Sequence, residues 1–194
     1  MKASARLGLL AAVALAQIAV PANMILSLER TLSEGTLCRF RTAPVDPYDA
    51  FRGRYVRLAI EESSGPLPEG PIPEPGQTVY ARIETDAEGI SKIAEVLLDP
   101  PDQGVYIRAT AGWADTGQRI LHVNLPIDRY YMNEWKAPAA EQAYWDQSRM
   151  AQRNAFVHVR VRNGEAAVEG LYIGAVPIEE YVAQQSEPSG GNEP

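Results

Sequence analysis

Five runs of this chain alternate apolar and polar residues with a period of two, and that alternation restricts the fold more than any other feature. Val56, Leu58 and Ile60 alternate with Tyr55, Arg57, Ala59 and Glu61, and Val79, Ala81 and Ile83 with Tyr80, Arg82 and Glu84. Val105, Ile107 and Ala109 alternate with Tyr106, Arg108 and Thr110, and Leu121, Val123 and Leu125 with His122 and Asn124. Val157, Val159 and Val161 alternate with His158, Arg160 and Arg162. Successive side chains of a strand point to opposite faces, so each run buries one face and wets the other, as in antiparallel sheets. Asn163-Gly164, between Val161 and the run 166–173, is a strong hairpin signal because both turn residues tolerate positive φ. Further turns are expected at 86–89 and 115–118. The chain is therefore read as mainly β, an antiparallel β-barrel or sandwich of about eight strands.

Two segments break the alternation. Residues 63–76 hold Pro66, Pro68, Pro71, Pro73 and Pro75, which fix φ and remove ladder donors, so an exposed polyproline-like loop is expected. Residues 138 to about 153 are the one helical segment, with Pro138 suited to a first turn. Ala140, Ala143, Tyr144, Gln147 and Ala151 give that helix a modest apolar stripe, so peripheral packing is expected. Residues 183–194 are read as a disordered tail.

Residues 7–28 contain no charge. At about 1.5 Å per residue a helix of that length crosses a hydrocarbon core of about 30 Å. Pro21 and Asn23 interrupt its second half, which spanning helices tolerate. The alternative is a cleaved signal peptide, with Lys2 and Arg6 as its charged start and Ala14-Leu15-Ala16 as its cleavage signal. The apolar run continues well past that site, through Ile18 to Leu28, and favours the uncleaved anchor. Residues 1–28 are thus read as a membrane anchor or signal peptide and 29–182 as an extracytoplasmic β domain. Either reading exports the body. The expected location is a bacterial inner membrane, single-pass, with the body in the periplasm or extracytoplasmic space.

Net charge is −7, and the 18 basic residues include Lys2 and Arg6, which leaves the body with 16 against 25 acidic ones, or −9. Phosphate backbones require clustered Lys and Arg, so a nucleic-acid partner is not expected. Cys38 is the only cysteine, which excludes an intrachain disulfide framework and a cysteine zinc cage. His122 and His158 fall on polar strand faces with no metal-ligand spacing between them, so no metal and no cofactor is expected. Neither a nucleophile elbow nor a phosphate loop is present.

One segment is more distinctive than the rest. Val45-Asp46-Pro47-Tyr48-Asp49-Ala50-Phe51-Arg52-Gly53-Arg54-Tyr55-Val56-Arg57-Leu58 places a carboxylate-rich turn ahead of a glycine and a strand. A second block reads Arg129-Tyr130-Tyr131-Met132-Asn133-Glu134-Trp135-Lys136-Ala137, and a third Ala167-Val168-Glu169-Gly170-Leu171-Tyr172-Ile173. Together, in this order and behind a membrane segment, they resemble the GDYXXLXY family of bacterial proteins. Arg54 stands where that family has Asp, Ile60 where it has its final Tyr, and Ala137 where Gly is expected. The resemblance implies a membrane-anchored, extracytoplasmic domain and brings no established activity.

On the residues themselves, Asp46 and Pro47 suit the opening of a turn, Gly53 a bulge or strand entry, and Arg52 an ion pair with Asp46 or Asp49. The binding or motif residues are Asp46, Pro47, Asp49, Arg52, Gly53, Tyr55, Leu58, Arg129, Tyr130, Tyr131 and Glu134, with the contact surface expected at the Asp46–Arg52 turn and the Tyr130–Glu134 segment. The leading function is a binding or scaffolding module of the cell envelope, contacting the membrane through residues 7–28 and a multi-pass membrane protein through this surface. The alternative is a hydrolase or lyase on envelope glycans, with Asp46 or Asp49 and Glu134 dividing acid and base roles.

Overall fold

The computed structural model describes residues 3–43, 55–149 and 154–186. The chain opens with helix α1 (Ala3–Glu34), which carries Pro21 inside it and runs six residues beyond the uncharged stretch. Its segment Leu10–Glu34 is long and apolar enough to cross a membrane, a property shared with signal sequences, and its most apolar window is not buried by the rest of the chain. Gly35 ends the helix, its N–H donating to Thr31 O at 3.0 Å. A Cβ at Gly35 would lie 2.3 Å from that oxygen, so the close turn into the first strand requires glycine.

Strands β1 (Thr36–Arg41), β9 (Ala155–Arg162), β10 (Glu165–Ile173) and β11 (Val176–Pro177) form a four-stranded antiparallel sheet in the order β1-β9-β10-β11. A second sheet holds β3 (Ser64–Pro66), β4 (Thr78–Thr85), β5 (Ser91–Leu97), β6 (Val105–Asp115) and β7 (Ile120–Asn124) in the order β3-β7-β6-β4-β5. Its edges, β3 and β5, pack against each other and nearly close a barrel. Gly65 makes that approach achievable, since a Cβ there would lie 2.7 Å from Ile93 Cγ2. A two-stranded ribbon pairs β2 (Tyr55–Arg57) with β8 (Arg129–Tyr131).

The alternation behaves as expected. Val79, Ala81 and Ile83, Ile107 and Ala109, Leu121 and Val123, and Val157, Val159 and Val161 all enter one buried core. The 163–164 hairpin also forms, with Asn163 at φ 50° and Gly164 at φ 81° joining β9 to β10.

Several elements differ from the sequence reading. Eleven strands are present among the described residues, because short ones escape periodicity: β3, β8 and β11 have two or three residues each. The proline segment is not wholly loop, as Ser64–Pro66 pairs with β7 at a sheet edge, where proline's missing N–H costs no ladder bond. Helix α2 (Ala137–Arg149) is less peripheral than its weak stripe suggests. Tyr144 is fully buried, and its hydroxyl donates to Ala43 O at 2.9 Å. A further helix, α3 (Ile178–Ser186), occupies the last described residues and includes Gln184 and Gln185. Buried Ile178 and Val182, one turn apart, anchor it, and Glu179 and Glu180 suit the positive end of its dipole. Ala151 of the expected stripe and residues 187–194 lie outside the described residues.

α1 is braced against the body. Ser27 Oγ and Thr31 Oγ1 donate to Glu165 Oε2 at 2.6 and 3.3 Å. Arg162 pairs with Glu34 at 3.1 Å, and Arg160 donates to Gly35 O at 3.3 Å. Thr31 is buried in this joint.

Candidate functional site

The two most distinctive sequence blocks meet in the β2–β8 ribbon. Tyr55 lies opposite Tyr131, Val56 opposite Tyr130 and Arg57 opposite Arg129. Directly opposite residues of an antiparallel pair share a face, so the register sorts the ribbon into two surfaces. Val56 and Leu58 point into the core. Leu58 N–H donates to Asp128 O at 2.9 Å and extends the pairing by one bond.

The inner surface is architectural. Tyr130 is half-buried, and its hydroxyl donates to a carboxylate oxygen of Glu179 in the first turn of α3. Burial first, and then this bond to an anion, pushes the Tyr130 phenol well above its ordinary range, so it stays a neutral donor. Tyr130 thus fastens α3 to the ribbon.

The outer surface is aromatic and cationic. The Tyr55 and Tyr131 rings meet edge to face with centroids 5.7 Å apart. The Arg129 guanidinium lies 5.3 Å from the Tyr55 ring centroid and forks onto both carboxylate oxygens of Asp128. That fork holds the Asp128 carboxyl below its usual range, with Arg57 adding to the pull. Two arginines opposite one another would repel, and Asp128 offsets this. Tyr131 is 65% exposed and Trp135, in the turn before α2, is 88% exposed. Asn133 shapes that turn, its side-chain oxygen accepting from Trp135 N–H at 3.0 Å.

The remaining expected residues divide as follows. Glu134 sits exposed in the same turn. Asp46, Pro47, Asp49, Arg52 and Gly53 lie outside the described residues, so the carboxylate pairing of Asp46 or Asp49 with Glu134 does too. Asp128, Trp135 and Glu179 were not singled out as site residues. Trp135 was readable within the second block, but the roles of Asp128 and Glu179 depend on contacts that only the folded chain creates. Among the described residues, no group of three or more His, Cys, Asp or Glu side chains is placed to hold a metal.

The fold and the ribbon define a mainly β protein carried on a long apolar helix, with its signature segments joined as neighbouring strands. The chain belongs to the GDYXXLXY family, whose model, described as GDYXXLXY protein, matches residues 17–171. No curated protein and no solved structure matches it.

Proposed function

We propose that this chain is a binding or scaffolding component of the bacterial cell envelope. In this reading α1 is held in the inner membrane as a single span, and the β body lies on the extracytoplasmic side. A helix of 32 residues is about 48 Å long and exceeds a hydrocarbon core of about 30 Å, so its last turns reach beyond the lipid. The braced joint at Glu165 and Arg162 belongs to those last turns.

The observation that carries a binding role is the outer face of the ribbon. Tyr131 and Trp135 are large and exposed, on a paired strand and in a hydrogen-bonded turn, and Arg129 lies beside Tyr131. Aromatic and arginine side chains of this kind dominate the energetics of protein interfaces. The proposed partner is a multi-pass membrane protein, because α1 in this reading keeps the body at the membrane surface.

A photo-crosslinking residue at 131 or 135, in cells, should trap a membrane protein, and co-purification in mild detergent should recover it. Trp135→Ala with Tyr131→Ala should weaken the association by about thirtyfold or more, the loss of at least one interface hot spot of about 2 kcal/mol, and lower the yield accordingly. Recovery of the wild-type chain only as a monomer, with no crosslink at either position, would overturn the role. The mass of the mature N-terminus tests the anchor: a chain beginning after Ala16 would show cleavage instead.

A further inference from the structure

A cleft of about 570 Å³ separates α1 from the β9–β10 hairpin. Met24 and Leu28 line its helix wall and are 66% and 51% exposed. Ser27 and Thr31 lie on the same wall, and Arg108 and Glu165 face them from the body. The cleft straddles the point where the uncharged stretch ends at residue 28 and the charges of Glu29 and Arg30 begin. Its apolar part is therefore set at the lipid end and its charged part at the water end.

The charges are opposite and have capacity left. The exposed Arg108 guanidinium has no ion pair or hydrogen bond among the described residues. Both bonds that Glu165 accepts from α1 end on Oε2, which leaves Oε1 for another donor. A ligand that answers both groups carries an anion, an N–H-bearing cation and an apolar chain.

Resting on the reading of α1 as a membrane span, we infer that this cleft seats one phospholipid whose headgroup carries a primary ammonium beside its phosphate. Arg108 takes the phosphate, Glu165 Oε1 accepts from the ammonium, and Met24 and Leu28 lie along the start of an acyl chain. A quaternary choline headgroup has no N–H to give Glu165. A headgroup with a phosphate and no cation sets a second anion against the carboxylate. Charge-assisted hydrogen bonds are the strong ones, so the ammonium is the discriminating feature.

The test uses the full chain in nanodiscs of equal phosphatidylethanolamine and phosphatidylcholine, with retained lipid read by native mass spectrometry. The wild type should keep phosphatidylethanolamine over phosphatidylcholine by about tenfold, the scale of one charge-assisted bond. Glu165→Gln should abolish most of that preference, and Arg108→Gln should lower the retention of both lipids severalfold. Glu165→Gln retains an acceptor oxygen for Ser27 and Thr31, so it removes the charge while keeping the helix braced. Equal retention of the two lipids by the wild type, a preference that survives Glu165→Gln, or retention unchanged by Arg108→Gln would sink the inference. Alkaline carbonate extraction separates the two levels of failure. A chain that stays in the membrane pellet without lipid preference fails this inference alone, and a chain released to the supernatant removes the span reading with it.

Discussion

His158 shows how far a single residue can depart from its place in a pattern. Alternation puts it on a polar strand face, and it does point away from the core, yet its ring is stacked on Tyr172 with centroids 3.9 Å apart. Burial first, then nearby Arg39, hold its imidazole below the ordinary 6.5, against an opposing pull from Glu169 and with a further push from Arg160. The unfolded chain then binds the proton more readily than the folded one. This group costs no stability well above pH 6.5, and stability declines as pH falls through that value towards the folded pKa. Urea midpoints should therefore drop between about pH 7 and about pH 5.5, and His158→Gln should flatten that part of the profile. A variant with the wild-type slope would show that other groups control it. The stacking was invisible in the sequence because it depends on the β9–β10 register, which shifts between Val168 and Gly170. Tyr130 teaches the same lesson. It was readable as part of a signature block, but not as the residue that fastens α3, because Glu179 lies 49 positions away.

At the scale of elements, the β9–β10 hairpin is the part most fully written in local sequence. Both turn residues adopt positive φ, and Gly164 also lies against Tyr106, whose Cε2 would sit 2.7 Å from a Cβ there. Gly164→Ala should destabilise the protein by about 1 to 2 kcal/mol, lowering the melting temperature by about 3 to 6 °C. Asn163→Gly, which relieves its backbone, should leave thermal stability within about 1 °C. Thermal denaturation followed by circular dichroism reads both, and equal effects of the two substitutions would contradict the turn geometry. Strands β4, β6, β7 and β9 were legible for the same reason as the hairpin, since each repeats a period-two code several times. The short strands were not. β8 is a three-residue strand whose pairing with β2 joins segments more than 70 positions apart, and no local signal specifies such a partner. α3 escaped notice because its two anchors, Ile178 and Val182, are too few to mark a periodic stripe.

For the whole molecule, the core belongs to the β body. Among the described residues, none before Cys38 joins the buried cluster, although Thr31 is itself covered at the joint. A chain beginning at Glu29 keeps every core side chain and the Arg162–Glu34 pair, and loses only the Ser27 bond from the joint. It should unfold cooperatively, with a melting temperature within about 4 °C of the full chain in detergent. A broad, non-cooperative transition would show that the helix is needed for the body to fold. The overall class was legible because alternation and an uncharged stretch each act at long range in sequence. The angle and bracing of the helix were not, because they rest on Ser27 and Thr31, two small polar residues in an otherwise apolar text. That joint has a mechanical consequence. Glu34 closes the helix, Thr36 starts the sheet, and Gly35 alone stands between them, clamped by its neighbours rather than free to swivel. The apolar rod and the β body therefore turn as one piece, and whatever grips the rod also sets the compass bearing of Tyr131 and Trp135.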